Sequence, residues 1–196
     1  MMTRDDIAAV VLAGGEGRRI GGGKPLRRLG GATLLARALG QAGIYSDRVA
    51  LAVRDPAQVG APEGVVVIPD SPVEGPLGGL AAALGWARDQ SRPAVLTLPC
   101  DMPFVPLDLA ERLGSALDGH GAALAASGGR LHPVCALWRV AALDHLPAYA
   151  ASGRRSLHGF AEAVGFTAVD WPAAPADPFF NVNTTGDLAE AEARLG

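Results

Sequence analysis

The apolar run Ile7–Ala13 stops abruptly at Gly14-Gly15, and this junction restricts the possible folds more than any other stretch of the chain. A run that short, with charge before it and a glycine pair after it, suits a parallel strand covered on both faces. The glycine-rich loop 14–23 leads to Thr33, which is placed to cap a helix over Leu34–Ala42 that Gly43 would end. Three more apolar runs follow, Val49–Val53, Val65–Ile68 and Ala94–Leu98, with helical stretches at Leu77–Arg88 and Leu107–Leu117. Strands alternating with helices imply an α/β protein with a mostly parallel sheet covered on both faces.

The second half is less regular. Ala122–Ala126 and Pro133–Leu137 read as strands around the turn Ser127-Gly128-Gly129, an antiparallel excursion. Val140–Ala150 and Leu157–Val164 read as helices, Trp171–Pro178 as a proline-rich loop, and Thr184 or Thr185 as the cap of a last helix reaching Leu195. No internal repeat or linker divides the 196 residues, so one domain is expected over residues 1–196.

In a parallel sheet of this kind, ligands bind in the crevice beyond the carboxyl ends of the strands. The residues at those positions read LAGGEGRR, VIPDSPVEGPLGGL and LTLPCDMPF. From Gly14 to Lys24 there are six glycines and three cations, Arg18, Arg19 and Lys24. Consecutive glycines let backbone N–H groups converge on phosphate oxygens, and the cations can neutralise a triphosphate. The segment does not fit the P-loop, because Arg18 stands at the first glycine position and Pro25 replaces Ser/Thr. Nor does it fit the dinucleotide fingerprint, whose third glycine would fall on Ile20.

Asp70 follows one apolar run and Asp101 another, so each strand delivers an acid to the crevice. Asp101 lies between Pro99 and Pro103, and a carboxylate there suits Mg²⁺, which takes one or two carboxylates plus phosphate oxygens and water. A turn or helix-cap aspartate is the plainer alternative, above all for Asp70. Gly78 and Gly79 open a helix, where they serve either a flat ligand or close helix–sheet packing.

Composition narrows the partners. Hydrophobic residues make up 49% and charged residues 19%, the net charge is −3, and no basic run points to nucleic acid. No apolar run approaches the ~20 residues of a membrane span. Cys100 and Cys135 match no metal or redox spacing, which suits buried, reduced thiols and a cytoplasmic protein.

Taken in order, LAGGEGRRIGGGK, GPLGGL, PCDMPFVP, LHPVCALW, SGRRSL and FFNVNTTGDL resemble the molybdenum cofactor guanylyltransferases over nearly the whole chain. The resemblance implies a three-layer α/β/α, Rossmann-like fold of the sugar-nucleotide transferase kind. It also implies transfer of GMP from GTP to the terminal phosphate of molybdopterin, with Mg²⁺ as cofactor, pyrophosphate as leaving group, and transient contact with cofactor-delivery proteins. Leu12, Ala13, Gly14, Gly15 and Gly78 would line the nucleotide site, and Asp70 would contact the nucleoside. Lys24, with Arg18 or Arg19, would meet the triphosphate, and Asp101 would hold the metal. Arg154, Arg155, Asn181 and Asn183 would face the acceptor, while His132 matches a His-Pro pair whose role stays open.

The chain departs from the family pattern twice. Gly23 stands where an acid usually precedes the lysine, and Leu51-Ala52-Val53-Arg54 replaces a segment that tends to carry a polar Asn. A CTP-using relative, another small nucleotidyltransferase such as one acting on a sugar phosphate, and a non-catalytic nucleotide- or cofactor-binding relative are the alternatives, and LAGG favours GTP because the cytidylyl relatives resemble LAAG instead. A phosphate nucleophile is already ionised near neutral pH, so no general base is required. The chemistry then reduces to positioning and charge.

Overall fold

The computed structural model describes residues 2–13, 23–56, 59, 62–73 and 75–196. Gly14, Gly15, Arg18 and Arg19 therefore lie outside the described residues. The chain begins with β1 (Ile7–Leu12), followed by a small hairpin of β2 (Arg28–Leu29) and β3 (Ala32–Thr33), then α1 (Leu34–Tyr45). Next come β4 (Val49–Val53), β5 (Val66–Pro69), α2 (Pro76–Asp89), β6 (Ala94–Pro99) and α3 (Leu109–Ala116). The second half contributes β7 (Ala122–Ser127), β8 (Arg130–Arg139), α4 (Leu146–Ala151), α5 (Leu157–Val164), β9 (Phe166–Trp171) and α6 (Thr185–Ala193).

The described residues form a seven-stranded sheet in the order β5-β4-β1-β6-β8-β7-β9. β1 pairs in parallel with β4 and β6, β4 with β5, and β7 with β9. β8 alone runs against its neighbours, antiparallel to both β6 and β7. This reversal brings the first residues of β8, including His132, to the edge where the other strands end.

Alternation along the strands divides the core between the two faces. Ile7, Ala9 and Val11 of β1 face one cluster with Leu35, Ala38 and Tyr45 of α1 and Leu109 and Leu113 of α3. Ala8 and Val10 face the other, with Leu77, Leu80 and Leu84 of α2, Tyr149 of α4 and Phe160 of α5. Both faces of β1 are thus covered, which is why its sequence is apolar throughout rather than alternating. Among the described residues, no helix is long and apolar enough to cross a membrane.

Thr33 caps α1 as its sequence suggests, its Oγ1 accepting from the Ala36 N–H at 3.0 Å. The helix does not end at Gly43 but runs on to Tyr45. Tyr45 is buried, and its hydroxyl donates to the Pro106 carbonyl at 2.6 Å, so tertiary packing outweighs the cost of a glycine in the last turn. The turn at Ser127 is tighter than expected: β8 begins at Arg130 rather than Pro133, leaving Gly128 and Gly129, both at positive φ, as the connection. The span Val140–Ala150 splits into a 3₁₀ segment, Val140–His145, followed by α4. Strand β9 is not announced by any pattern in the sequence.

Candidate active site

The charged part of the site is built where β6 ends. Lys24 opens a single 3₁₀ turn, Lys24–Leu26, behind Gly23 in the left-handed region at φ 58°. Despite its charge, Lys24 is only 8% exposed. Its Nζ donates to Asp101 Oδ2 at 2.5 Å and to Asn183 Oδ1 at 2.7 Å. A lysine ammonium has three donors, and described residues take two of them. Asp101 is tied to the same neighbourhood through its backbone, its carbonyl accepting from the Val182 N–H at 2.9 Å.

Asn183 reaches this cluster from the far end of the sequence, 159 residues away from Lys24. It is held by the start of α6. There Thr184 and Asp187 form a capping box, and Asp187 Oδ2 accepts from the N–H groups of Asn183 and Thr184 at 2.7 and 2.8 Å. Those hydrogen bonds, led by the one from Asn183, hold the Asp187 carboxyl below the usual carboxylate range, with Lys24 adding a smaller effect in the same direction. Asn181 lies half-buried two residues earlier on the same segment.

Beside this cluster lies a cleft of about 300 Å³, lined by Leu12, Arg54, Asp70, Gly75, Pro76, Gly79, Pro99 and Val134. These residues come from the carboxyl ends of β1, β4 and β6, the loop after β5, the start of α2 and the early part of β8. Pro99 borders the cleft and Asp101 follows two residues later, so the end of β6 connects the cleft to the lysine cluster. Burial pushes the Asp70 carboxyl above its ordinary value, and Arg54 offsets part of that rise.

The two helix glycines have different neighbours. A methyl on Gly78 would overlap the Val73 carbonyl oxygen, so Gly78 permits close packing of the 71–73 loop on α2. A methyl on Gly79 would stand 3.4 Å from Leu12 and 3.5 Å from an oxygen of Asp70, so Gly79 faces the cleft. Arg155 is a neighbour of the cleft residue Gly75, where an added methyl would lie 3.9 Å from its Cβ. Its guanidinium donates to the Ala150 carbonyl at 2.7 Å. Arg154 points elsewhere, stacked 4.8 Å above the Tyr149 ring and 3.6 Å from Glu162. Ala13 is buried, its N–H bonded to the Ala52 carbonyl at 2.9 Å.

His132 is buried in the protein rather than open to the cleft. Its Nε2 lies 2.8 Å from Ser127 Oγ, and its ring stacks on Phe179 with centroids 4.8 Å apart. Burial lowers its pKa, with Asp177 opposing that effect. Cys100 and Cys135 are free, buried thiols; burial pushes Cys100 up to about 12 and Cys135 well above its ordinary range, which keeps both protonated. Among the described residues, no group of three or more His, Cys, Asp or Glu side chains gathers as a metal cage.

The sequence singled out Lys24, Asp101 and Asn183, and the fold brings them into direct contact. It passed over Pro76, Pro99 and Val134 as cleft residues, and it noted Arg54 only as a departure from a pattern. The signal for Arg54 was its position, immediately after β4 at the carboxyl edge of the sheet. Val134 carried no such signal, because it reaches the cleft only through the reversed direction of β8.

Comparison with known proteins is consistent with this geometry. Residues 9–165 match the family model of the MobA-like NTP transferase domain. The chain is 45% identical over 195 residues to a molybdenum cofactor guanylyltransferase of Rhodopseudomonas palustris, covering 94% of this chain and 90% of that one. It is 42% identical over 188 residues to the enzyme of the same name from Cereibacter sphaeroides, covering 95% of each. The crystal structure of molybdopterin-guanine dinucleotide biosynthesis protein A from Archaeoglobus fulgidus superposes with a TM-score of 0.77 at 26% identity, over 96% of this chain and 98% of that one. A 2-C-methyl-D-erythritol 4-phosphate cytidylyltransferase from Thermus thermophilus shares the fold, with a TM-score of 0.70 at 24% identity over 98% of each chain.

Proposed function

The chain belongs to the MobA-like NTP transferase family, and from that membership we propose that it transfers GMP from GTP to the terminal phosphate of molybdopterin, releasing pyrophosphate. The observation that carries the reading is the convergence of Lys24, Asp101 and Asn183 next to a cleft of nucleobase size. The guanine lies in the cleft against Leu12, Gly79, Arg54 and Asp70, and the triphosphate runs toward Lys24.

Transfer joins two anions. Two unit charges 4 Å apart repel by roughly 4 kcal/mol at an effective dielectric of about 20, so the site must supply positive charge where the phosphates meet. Lys24 does this with its ammonium, and Arg155, next to the cleft residue Gly75, is the cation for the acceptor. An acceptor phosphate oxygen attacks the α-phosphorus, the bond from that phosphorus to the bridging oxygen breaks, and pyrophosphate leaves with the electron pair. The attacking phosphate is already an anion, so no side chain has to remove a proton.

Mg²⁺ suits the donor set. Asp101 offers a carboxylate and Asn183 an amide oxygen, both now held by the Lys24 ammonium, and Mg²⁺ characteristically takes one or two carboxylates and completes its shell with phosphate oxygens and water. Held by Asp101 beside Lys24, the ion would supply further neutralisation of the triphosphate. Burial keeps Tyr45, Cys100 and Cys135 protonated, and the proposed reaction uses none of the three.

Pyrophosphate release measured with molybdopterin, Mg²⁺ and either GTP, CTP or ATP tests the reading. GTP should exceed each of the others on the order of 100-fold or more in kcat/KM, as a site that hydrogen-bonds its substrate discriminates. Equal rates with CTP, or nucleotide binding with no pyrophosphate release, would overturn it.

A further inference from the structure

We infer that Asp177, Ser127 and His132 form a positioning relay that sets Asn183 against Lys24 and Asp101. The inference rests on the transferase reading above and assigns a role to residues outside the cleft.

The relay has a defined direction. Ser127 Oγ donates its only hydrogen to Asp177 Oδ1 at 2.9 Å. The same oxygen lies 2.8 Å from His132 Nε2, so it must accept there, and the histidine carries its proton on Nε2. Ser127 and His132 are 2% and 3% exposed, so the bond between them is shielded from water, while the bond to Asp177 is part-buried. Asp177 Oδ1 also accepts from the Phe179 N–H at 2.9 Å, and the Phe179 ring lies between His132 and Trp171. The β7–β8 hairpin therefore grips Phe179 by backbone and ring at once.

From Phe179 the chain reaches the site in four residues. Val182 is fully buried with Leu29, Leu34 and Ala191, and its N–H bonds to the Asp101 carbonyl at 2.9 Å. Asn183 follows, with its side chain on Lys24 and its N–H on Asp187. The segment is fastened at Phe179 and again at Val182–Asn183, with no glycine in between to absorb a shift. With so short a span, a displacement at Phe179 pulls on the Asn183 amide against its fastenings at Val182 and Asp187. A misplacement of 1 Å in a catalytic arrangement can cost about 100-fold in rate, which makes such fastening functional as well as structural.

Asp177→Ala and Asp177→Asn separate geometry from bulk stability. The asparagine keeps an oxygen at the Oδ1 position that can accept from both Ser127 and Phe179. In Asp177→Ala, kcat should fall about tenfold. The half-saturating Mg²⁺ concentration should rise, and KM for GTP should stay within about twofold of the parent. Asp177→Asn should return all three toward the parent values. Side-chain amide NMR of Asn183 supplies a readout independent of turnover: its resonances should move in Asp177→Ala and hold in Asp177→Asn. Should Asp177→Ala fail to fold, Ser127→Ala carries the same test. Unmoved Asn183 resonances with parental kcat in the alanine variant would overturn the relay, as would equal damage from alanine and asparagine. If the parent protein itself released no pyrophosphate, the transferase reading would fall, and the NMR result would still decide whether the relay positions Asn183.

Discussion

The cleft and the lysine cluster occupy the same edge of the sheet but are made differently. Among the described residues, the cleft is lined mostly by apolar and backbone surface, with Asp70 and Arg54 as its charged groups. The cluster is almost all polar, and its three side chains are already bonded to one another at 2.5 and 2.7 Å. The cleft has room for a flat ring and a few directional contacts; the cluster is a prearranged charge field. The difference teaches that recognition of the base and handling of the phosphates are separable here, and variants on the two sides should fail in different ways.

The largest effect belongs to the cluster. Asp101→Ala should lower kcat by about 100- to 1000-fold, the range expected when one group stabilising transition-state charge is removed. Lys24→Ala should weaken GTP binding about tenfold or more, as expected for loss of a charge-assisted contact. Steady-state kinetics and a GTP titration check the pair, with circular dichroism to verify folding. If either variant instead changed the preference among GTP, CTP and ATP while keeping its rate, the division between the two sides would be broken.

A smaller and opposite pattern is expected from the cleft. Asp70→Asn should reduce discrimination for GTP and leave kcat with saturating GTP nearly unchanged. The same variant sharpens the electrostatics. Burial raises the Asp70 pKa in the folded state above its ordinary value of 3.8, so the folded protein holds that proton more tightly than the unfolded chain. Stability therefore falls as pH rises through the interval between the unfolded and folded values. At pH 7 Asp70→Asn should raise Tm in the absence of ligand, and the gain should vanish below pH 3. A Tm unchanged at pH 7 would contradict the burial of that carboxylate.

The smallest effect concerns His132. Its pKa is lowered in the folded state, mainly by burial, so the neutral form is favoured. Stability from this group is present above the unfolded value near 6.5 and is lost as pH falls from there toward the folded value. The parent should lose Tm between pH 7 and pH 5 more steeply than His132→Gln. Parallel slopes would show that the histidine does not titrate between these pH values.

The two regions also differ in how far the sequence disclosed them. β1, β4 and β6 were legible because strands buried on both faces are apolar throughout, and the acids and glycines at their ends fall at the binding edge by topology alone. β9 was not legible: inward Thr167, Val169 and Trp171 alternate with exposed Ala168 and Asp170, but a polar Thr inside and an apolar Ala outside blur that alternation in the sequence. The contact between Lys24 and Asn183 spans 159 residues, and no local pattern encodes such a pairing. Family resemblance suggested both residues, but only the fold shows that one ammonium joins them. The relay through Ser127 was hidden for the same reason, since Ser127 reads locally as part of a turn, and Asp177 lies 50 residues beyond it.

A crystal structure with GTP and Mg²⁺ bound tests the central claim most directly. Expected is the guanine in the cleft between Arg54, Asp70 and Gly79, with a phosphate oxygen within hydrogen-bond distance of Lys24 Nζ and the ion on Asp101. A triphosphate bound away from Lys24, or a base outside that cleft, would contradict it.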